Sequence, residues 1–254
     1  MIEGNLPLTN IVNPDSIYCL LANEISRRSY NLVGEKYAVN YFTNPLFADA
    51  FNIWFDLLPT GGHILDAGCG HGQPVITTLL GNGFRVTGCD LSPVMLALAR
   101  EQFPDVEFWE KAIMDIESES VFDGACSFSS MLYLDPIDYF HSIHRLHCAI
   151  KPGGVLLLYG LDQHPAYRSH PYDYDLKQWM WRNTYGMDEA AKALEEHGYF
   201  KVLKTLNITS EEERQGIMKS WGIEPPADGS AGLDPELEKQ LPYLYVVIAE
   251  NLKG

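Results

Sequence analysis

From residue 63 to residue 160 the chain alternates between two hydrophobic periods, and that alternation limits the possible folds more than any other feature. Apolar runs of strand length occur at 63–67, 84–90, 106–111, 121–129 and 154–160. The stretches 74–83, 92–103 and 137–150 between them repeat apolar residues at three- and four-residue steps. Strands joined by single helices form βαβ units, whose strands lie parallel under helices on both faces. A further helix at 187–198 and strands at 199–208 and 243–250 bring the strands to seven. The expected architecture is therefore α/β: a doubly wound, mostly parallel, seven-stranded sheet.

The segments outside this core divide the chain. Ile17, Leu20, Leu21 and Ile25, then Phe47, Phe51, Trp54, Phe55 and Leu58, recur at helical steps and predict an N-terminal helical cap over 1–58. Residues 59–160 form the core. Residues 161–254 carry the last strands and two insertions, 161–185 after the fifth strand and 209–241 between the sixth and seventh. We read the whole as one domain.

The run 64-ILDAGCGHGQPV-75 places Gly68, Gly70 and Gly72 at alternate positions where the first strand ends. A glycine-rich turn between a strand and a helix lets a ligand approach the backbone and the helix N–H groups. The dinucleotide fingerprint GxGxxG would need its third glycine at position 73, where the chain has Gln73. The spacing is GxGxG, preceded by Asp66. A second acid, Asp90, ends the next strand in 86-VTGCDLSP-93, and 150-IKPGG-154 precedes the fifth strand.

In this order the motifs resemble those of the class I S-adenosylmethionine-dependent methyltransferases, of the small-molecule type, over about residues 30–160. The resemblance implies a Rossmann-like sheet, S-adenosyl-L-methionine as cofactor and S-adenosyl-L-homocysteine as product. It places Asp66 near the methionine amino group and lets the backbone at Gly68 and Gly70 approach the cofactor. It sets Asp90 on the ribose, Leu91 and Met95 near the adenine, and the Phe128 carbonyl on the ammonium group. Tyr30 or Tyr37, in 30-YNLVGEKY-37, closes over the cofactor carboxylate. Relatives with an acid for the adenine amino group have Ala112 opposite it here, which leaves backbone groups of Ala112 and Ile113, or Asp115, to hold the base.

Composition narrows the acceptor. A net charge of −16 opposes nucleic acid and anionic membranes. The strand-four end, 127-SFSSMLYL-134, lacks the Asn/Asp-Pro-Pro run of DNA amino methylation and offers no acid to a metal. His141, His144 and His147 read as a partly exposed helix face, so no metal is expected. Five widely spaced cysteines, with no CxxC pair, read as thiols of a reducing compartment, and the N-terminus does not read as a secretory signal. No apolar run approaches a membrane span of about 18 residues. The expected place is the cytoplasm.

The expected pocket wall is aromatic: Tyr133, Tyr167, Tyr172, Tyr174, Trp179, Trp181 and Tyr185. His164 stands in the role of general base and Tyr133 beside it at the catalytic centre. The expected activity is methyl transfer to oxygen or nitrogen of a small metabolite or natural product. The alternatives are a same-fold protein that binds the cofactor without methylating, cyclase-like or regulatory, and a protein methyltransferase. The sequence leaves the acceptor and the oligomeric state open.

Overall fold

The computed structural model describes residues 22–34, 45–162, 172–173, 178–179, 185–209 and 243–253. The strands are β1 (His63–Ala67), β2 (Arg85–Asp90), β3 (Glu107–Glu110), β4 (Phe122–Phe128), β5 (Ile150–Asp162), β6 (Tyr172–Asp173), β7 (Gln178–Trp179), β8 (Phe200–Asn207) and β9 (Tyr243–Asn251). The helices are α1 (Ala22–Val33), α2 (Pro45–Phe55), α3 (Val75–Gly81), α4 (Pro93–Gln102), α5 (Pro136–Ala149) and α6 (Met187–Glu195). Short 3-10 turns occupy Ile113–Asp115 and Met131–Tyr133.

One seven-stranded sheet runs β3-β2-β1-β4-β5-β9-β8, and β6 pairs with β7 apart from it. The first five strands pair in parallel, while β9 is antiparallel to both of its neighbours. The expected mostly parallel, Rossmann-like sheet is present. Strand order reverses between β1 and β4, so the chain after one strand leaves in the opposite direction from the chain after the other. That divergence opens a crevice at their carboxyl ends.

The sheet is buried on both faces, which explains its nearly continuous apolar runs. Ile64 and Leu65 point to opposite faces, and both are fully buried. Leu65 joins a core with Ile143 and Leu146 of α5 and Leu194 of α6. Ile64 joins a second core with Trp54 of α2, Ile76 of α3 and Leu96 of α4. Helix α2 therefore lies within the layer on the sheet face. Its Phe47, Ala50, Phe51 and Trp54 follow i, i+3, i+4, i+7 spacing and form one buried stripe.

Two sequence boundaries shift for local reasons. Strand β5 begins at Ile150, so the Lys151-Pro152-Gly153-Gly154 turn lies inside it. Its pairing with β4 jumps from Phe122–Ile150 to Gly124–Val155, and Gly153 takes a φ of 72° at this irregularity. Tyr185, expected on the pocket wall, instead packs its ring 4.3 Å from that of Tyr139 in the core under α5 and α6. Outside the described side chains lie Tyr37, His164, Tyr167, Tyr172, Tyr174, Trp179 and Trp181, as does the insertion over 210–242.

Trp54 joins helix to sheet in two ways: its ring is fully buried, and its Nε1 donates to the Val155 carbonyl oxygen at 3.1 Å. Trp54→Ala leaves a ring-sized cavity and an unpaired carbonyl. It should cost about 3–5 kcal/mol in urea unfolding, seen as a lower midpoint.

Candidate functional site

A cleft of about 1050 Å³, counting its open mouth, lies over the carboxyl ends of β1, β2 and β4. Its floor is the turn after β1. The Gly68 and Cys69 N–H groups both donate to the Cys89 carbonyl at the end of β2, at 2.8 and 2.9 Å. Gly70 N–H donates to Asp90 Oδ2 at 2.8 Å. The path needs left-handed backbone at all three alternate glycines, with φ of 80°, 53° and 87°. Gly68 is further constrained, because a Cβ there would meet the Ser130 side chain at 2.2 Å. The alternation therefore combines a conformational demand with close packing against β4.

Asp90 organises the second wall. Its Oδ1 accepts from Ser92 N–H at 2.8 Å while Oδ2 holds Gly70. Burial pushes its carboxyl above the usual range, and the N–H groups of Ser92, Gly70 and Leu91 oppose that shift. Ser92 then caps α4, accepting from Met95 N–H at 3.1 Å. The Ser92 hydroxyl donates to Asn31 Oδ1 of α1 at 2.6 Å.

Asp66 is 1% exposed, yet it borders the cleft. Its Oδ1 accepts from the Cys126 thiol at 3.6 Å, and no partner for Oδ2 is seen among the described residues. Burial pushes the Asp66 carboxyl up to about 7, the thiol's hydrogen bond opposes this, and the charge of Asp90 adds to it. A buried orphan carboxylate oxygen beside a second carboxylate suits a cationic ligand. It fits the ammonium-bearing, sulfonium-bearing methionine portion of S-adenosylmethionine, as the open glycine turn does.

The roof is α1. Asn23, Ser26, Arg27 and Tyr30 lie on one of its faces and line the cleft. The Tyr30 ring meets Tyr133 edge-on, with centroids 5.7 Å apart. At the end of β4 the Phe128 ring stacks on Tyr159 at 4.3 Å, and Ser129 holds a left-handed φ of 57°.

The cleft brings together Tyr30, Asp66, Gly68, Gly70, Asp90, Leu91, Ala112, Ile113, Phe128 and Tyr133. Met95 is 1% exposed and is not among the residues that line the cleft. Sequence reasoning missed Asn23, Arg27, Ser92, Lys111, Met114 and Ser130, all on the wall. The helical spacing of residues 23, 27 and 30 was the available signal for the first two. Among the described residues no cluster of His, Cys, Asp or Glu could hold a metal ion. No helix among them is long and apolar enough to cross a membrane.

Comparison with known proteins agrees with this geometry. Residues 64–154 match the family model of the methyltransferase domain. The chain is 30% identical to trans-aconitate 2-methyltransferase of Escherichia coli (strain 55989 / EAEC), over 56% of its own length and 54% of the relative. It thus spans about half the length of that curated relative. Among solved structures it resembles 1,6-didemethyltoxoflavin-N1-methyltransferase of Burkholderia thailandensis. That similarity has a TM-score of 0.64 at 18% identity, covering 96% of this chain and 94% of the other. It also resembles the cyclase SpnF, with a TM-score of 0.59 at 18% identity over 91% and 97%. These two likenesses concern the fold alone. The family match to the methyltransferase domain covers 64–154, the same stretch that carries the ordered motifs resembling those of the class I S-adenosylmethionine-dependent methyltransferases.

The raised Asp66 carboxyl has a consequence for stability. The folded state holds this proton more tightly than the unfolded chain does, so the contribution is full at low pH. It is lost as pH rises from the usual carboxylate range through about 7. Asp66→Asn should remove that slope. Denaturation from pH 4 to 8 should show wild-type stability falling relative to the variant, and parallel curves would reject the assignment.

Proposed function

We propose that the protein transfers a methyl group from S-adenosylmethionine to an oxygen or nitrogen of a small-molecule acceptor. The observation that carries this reading is the pairing of Asp90, clamped on the glycine turn, with the orphan Asp66 Oδ2 in one roofed cleft. When bound, the cofactor supplies an electrophilic methyl group on a positively charged sulfur.

In this reading each wall has its own task. Asp90 accepts from the ribose hydroxyls, and Asp66 faces the ammonium group together with the Phe128 carbonyl. Gly68 and Gly70 let the ligand reach the backbone. Leu91, Ala112 and Ile113 flank the adenine. Tyr30 covers the methionine end from above, with Tyr37 as its counterpart. Tyr133, 9% exposed beside Tyr30, orients the acceptor and helps exclude water. His164 is the group proposed to take the acceptor's proton where there is one to lose.

The protein is proposed to act as one domain: the N-terminal segment over 1–58, whose α2 packs on the sheet while α1 roofs the cleft, the core over 59–160 and the insertions beyond. The acceptor is a metabolite or natural product, and not nucleic acid, given the net charge of −16. The described cysteines, Cys69, Cys89, Cys126 and Cys148, are all free thiols. They support a place in the cytoplasm.

A second reading, a cofactor-binding cyclase-like protein, takes support from the fold it shares with SpnF. Incubation with methyl-labelled S-adenosylmethionine and a metabolite extract separates the two, because only the first leaves label on a small molecule. Label on protein would instead point to a protein methyltransferase. For the cofactor site, Asp90→Ala should weaken S-adenosylhomocysteine binding by about 1.5–3 kcal/mol in calorimetric titration, roughly ten- to 150-fold. Unchanged affinity would remove Asp90 from the site.

A further inference from the structure

The end of the cleft formed by Lys111, Ala112, Ile113 and Met114 has no strong side-chain acceptor of its own. Ala112 has no polar side chain. Its carbonyl accepts from Asp115 N–H at 3.1 Å, and the Ile113 carbonyl accepts from Ile116 N–H at 3.2 Å, so the 3-10 turn uses both. The Asp115 side chain is exposed and does not line the cleft. A side-chain acceptor for an amino group presented to this end has to come from another element.

Helix α1 brings one to the place. Asn23 lines the cleft, and its Nδ2 reaches Met114 Sδ at 3.9 Å, which fixes it beside the 3-10 turn. The same Nδ2 donates to Asp138 Oδ2 of α5 at 2.5 Å. An ionised carboxylate only accepts, so Asp138 determines which end of the amide is nitrogen. The amide oxygen then turns away from Asp138, and no partner for Oδ1 is seen among the described residues. Helix α5 packs along this turn. One helical turn beyond Asp138 lies Ser142, fully buried and on the cleft wall, with no partner for its hydroxyl among the described residues. This end of the cleft therefore holds unmet hydrogen-bonding capacity on two elements.

We propose that Asn23 reads the adenine edge of the cofactor, its Oδ1 accepting from the exocyclic amino group, with Asp138 as the positioning residue that orients the amide. The inference rests on the cofactor reading above. It assigns base specificity to a helix outside the glycine turn and outside the β2 and β3 edges. Ser142 Oγ, able to donate and to accept, adds to the same edge.

The test is calorimetric titration of the full chain with S-adenosylhomocysteine and S-inosylhomocysteine, which carries an oxygen in place of the amino nitrogen. Burial and the neighbouring Asp135 push Asp138 up to about 6. Titration is therefore made at about pH 8, where its carboxylate only accepts. Wild type should prefer the adenosyl ligand by about tenfold or more, since the inosyl oxygen would face Oδ1 with no proton between them. Asn23→Ala should lose most of that preference through an adenosyl affinity roughly three- to tenfold weaker, with the inosyl affinity not reduced. Asn23→Ser should behave alike and stands in if the alanine variant fails to fold. Asp138→Ala should lower the ratio less, because the freed amide can turn over. A ratio within about twofold of wild type in the Asn23 variants, with S-adenosylhomocysteine still bound, overturns the proposal. Failure of wild type to bind either ligand overturns the cofactor reading itself.

Discussion

The site depends on the two oxygens of Asp90. One holds the glycine turn after β1, and the other holds the N-terminus of α4 through Ser92. A carboxylate that accepts from two backbone N–H groups makes the stronger, charge-assisted kind of hydrogen bond. It therefore fixes two strand ends that diverge from the same sheet. Ser92 carries the constraint upward, capping α4 and donating its hydroxyl to Asn31 of the roof helix. Floor and roof are thus joined through one side chain and its neighbour two residues on. Loss of that carboxylate would loosen the crevice at the ends of β1 and β2 while the strands below remained packed.

Electrostatics suit the crevice to a cationic ligand. Asp66 and Asp90 border the same cleft, and burial raises both carboxyls, each against opposing hydrogen bonds. The Cys126 thiol donates to one oxygen of Asp66, and burial holds that thiol far above its ordinary range. It remains a neutral donor, and the second oxygen has no partner among the described residues. A cation placed in the crevice would satisfy that acceptor. The overall charge of the chain contributes little to this, since exposed charges are screened within about 10 Å at ordinary salt.

Much of the architecture was legible because it follows from periodicity. Seven strands, the helices between them and the glycine turn can be read from spacing, since each is a local consequence of backbone geometry; Asp90 stands out through the family resemblance. Partnerships across the fold could not be read that way. The apolar stripe of α2 has the same period whether it covers a sheet or a cleft, and only its fit against Val155 and Tyr159 assigns it to the sheet. Met95 follows the cofactor motif, but it is buried and is not among the residues that line the cleft. Tyr185 is as aromatic as a pocket residue and still packs on Tyr139. Asn23 meets Asp138 across 115 residues of sequence, a pairing that no local pattern encodes.

The two sides of the cleft differ in what fixes them. At the end of β4 the left-handed Ser129 is a conformation that costs about 1–3 kcal/mol at a non-glycine residue. The surroundings hold it there: Ser130 Oγ donates to the Ala67 carbonyl at 2.8 Å and lies 2.6 Å from Ser127 Oγ. Phe128 stacks on Tyr159 and packs against Phe47 and Phe51. This wall is continuous with the core. The contacts that join the roof to the rest include Asn31–Ser92, Asn23–Asp138 and the edge contact of Tyr30 with Tyr133. Each such contact has a net worth of about 1 kcal/mol. On the proposed reading the two sides meet the same ligand in different ways: the β4 wall meets its methionine end through backbone held by the core, and the roof helix meets it through side chains.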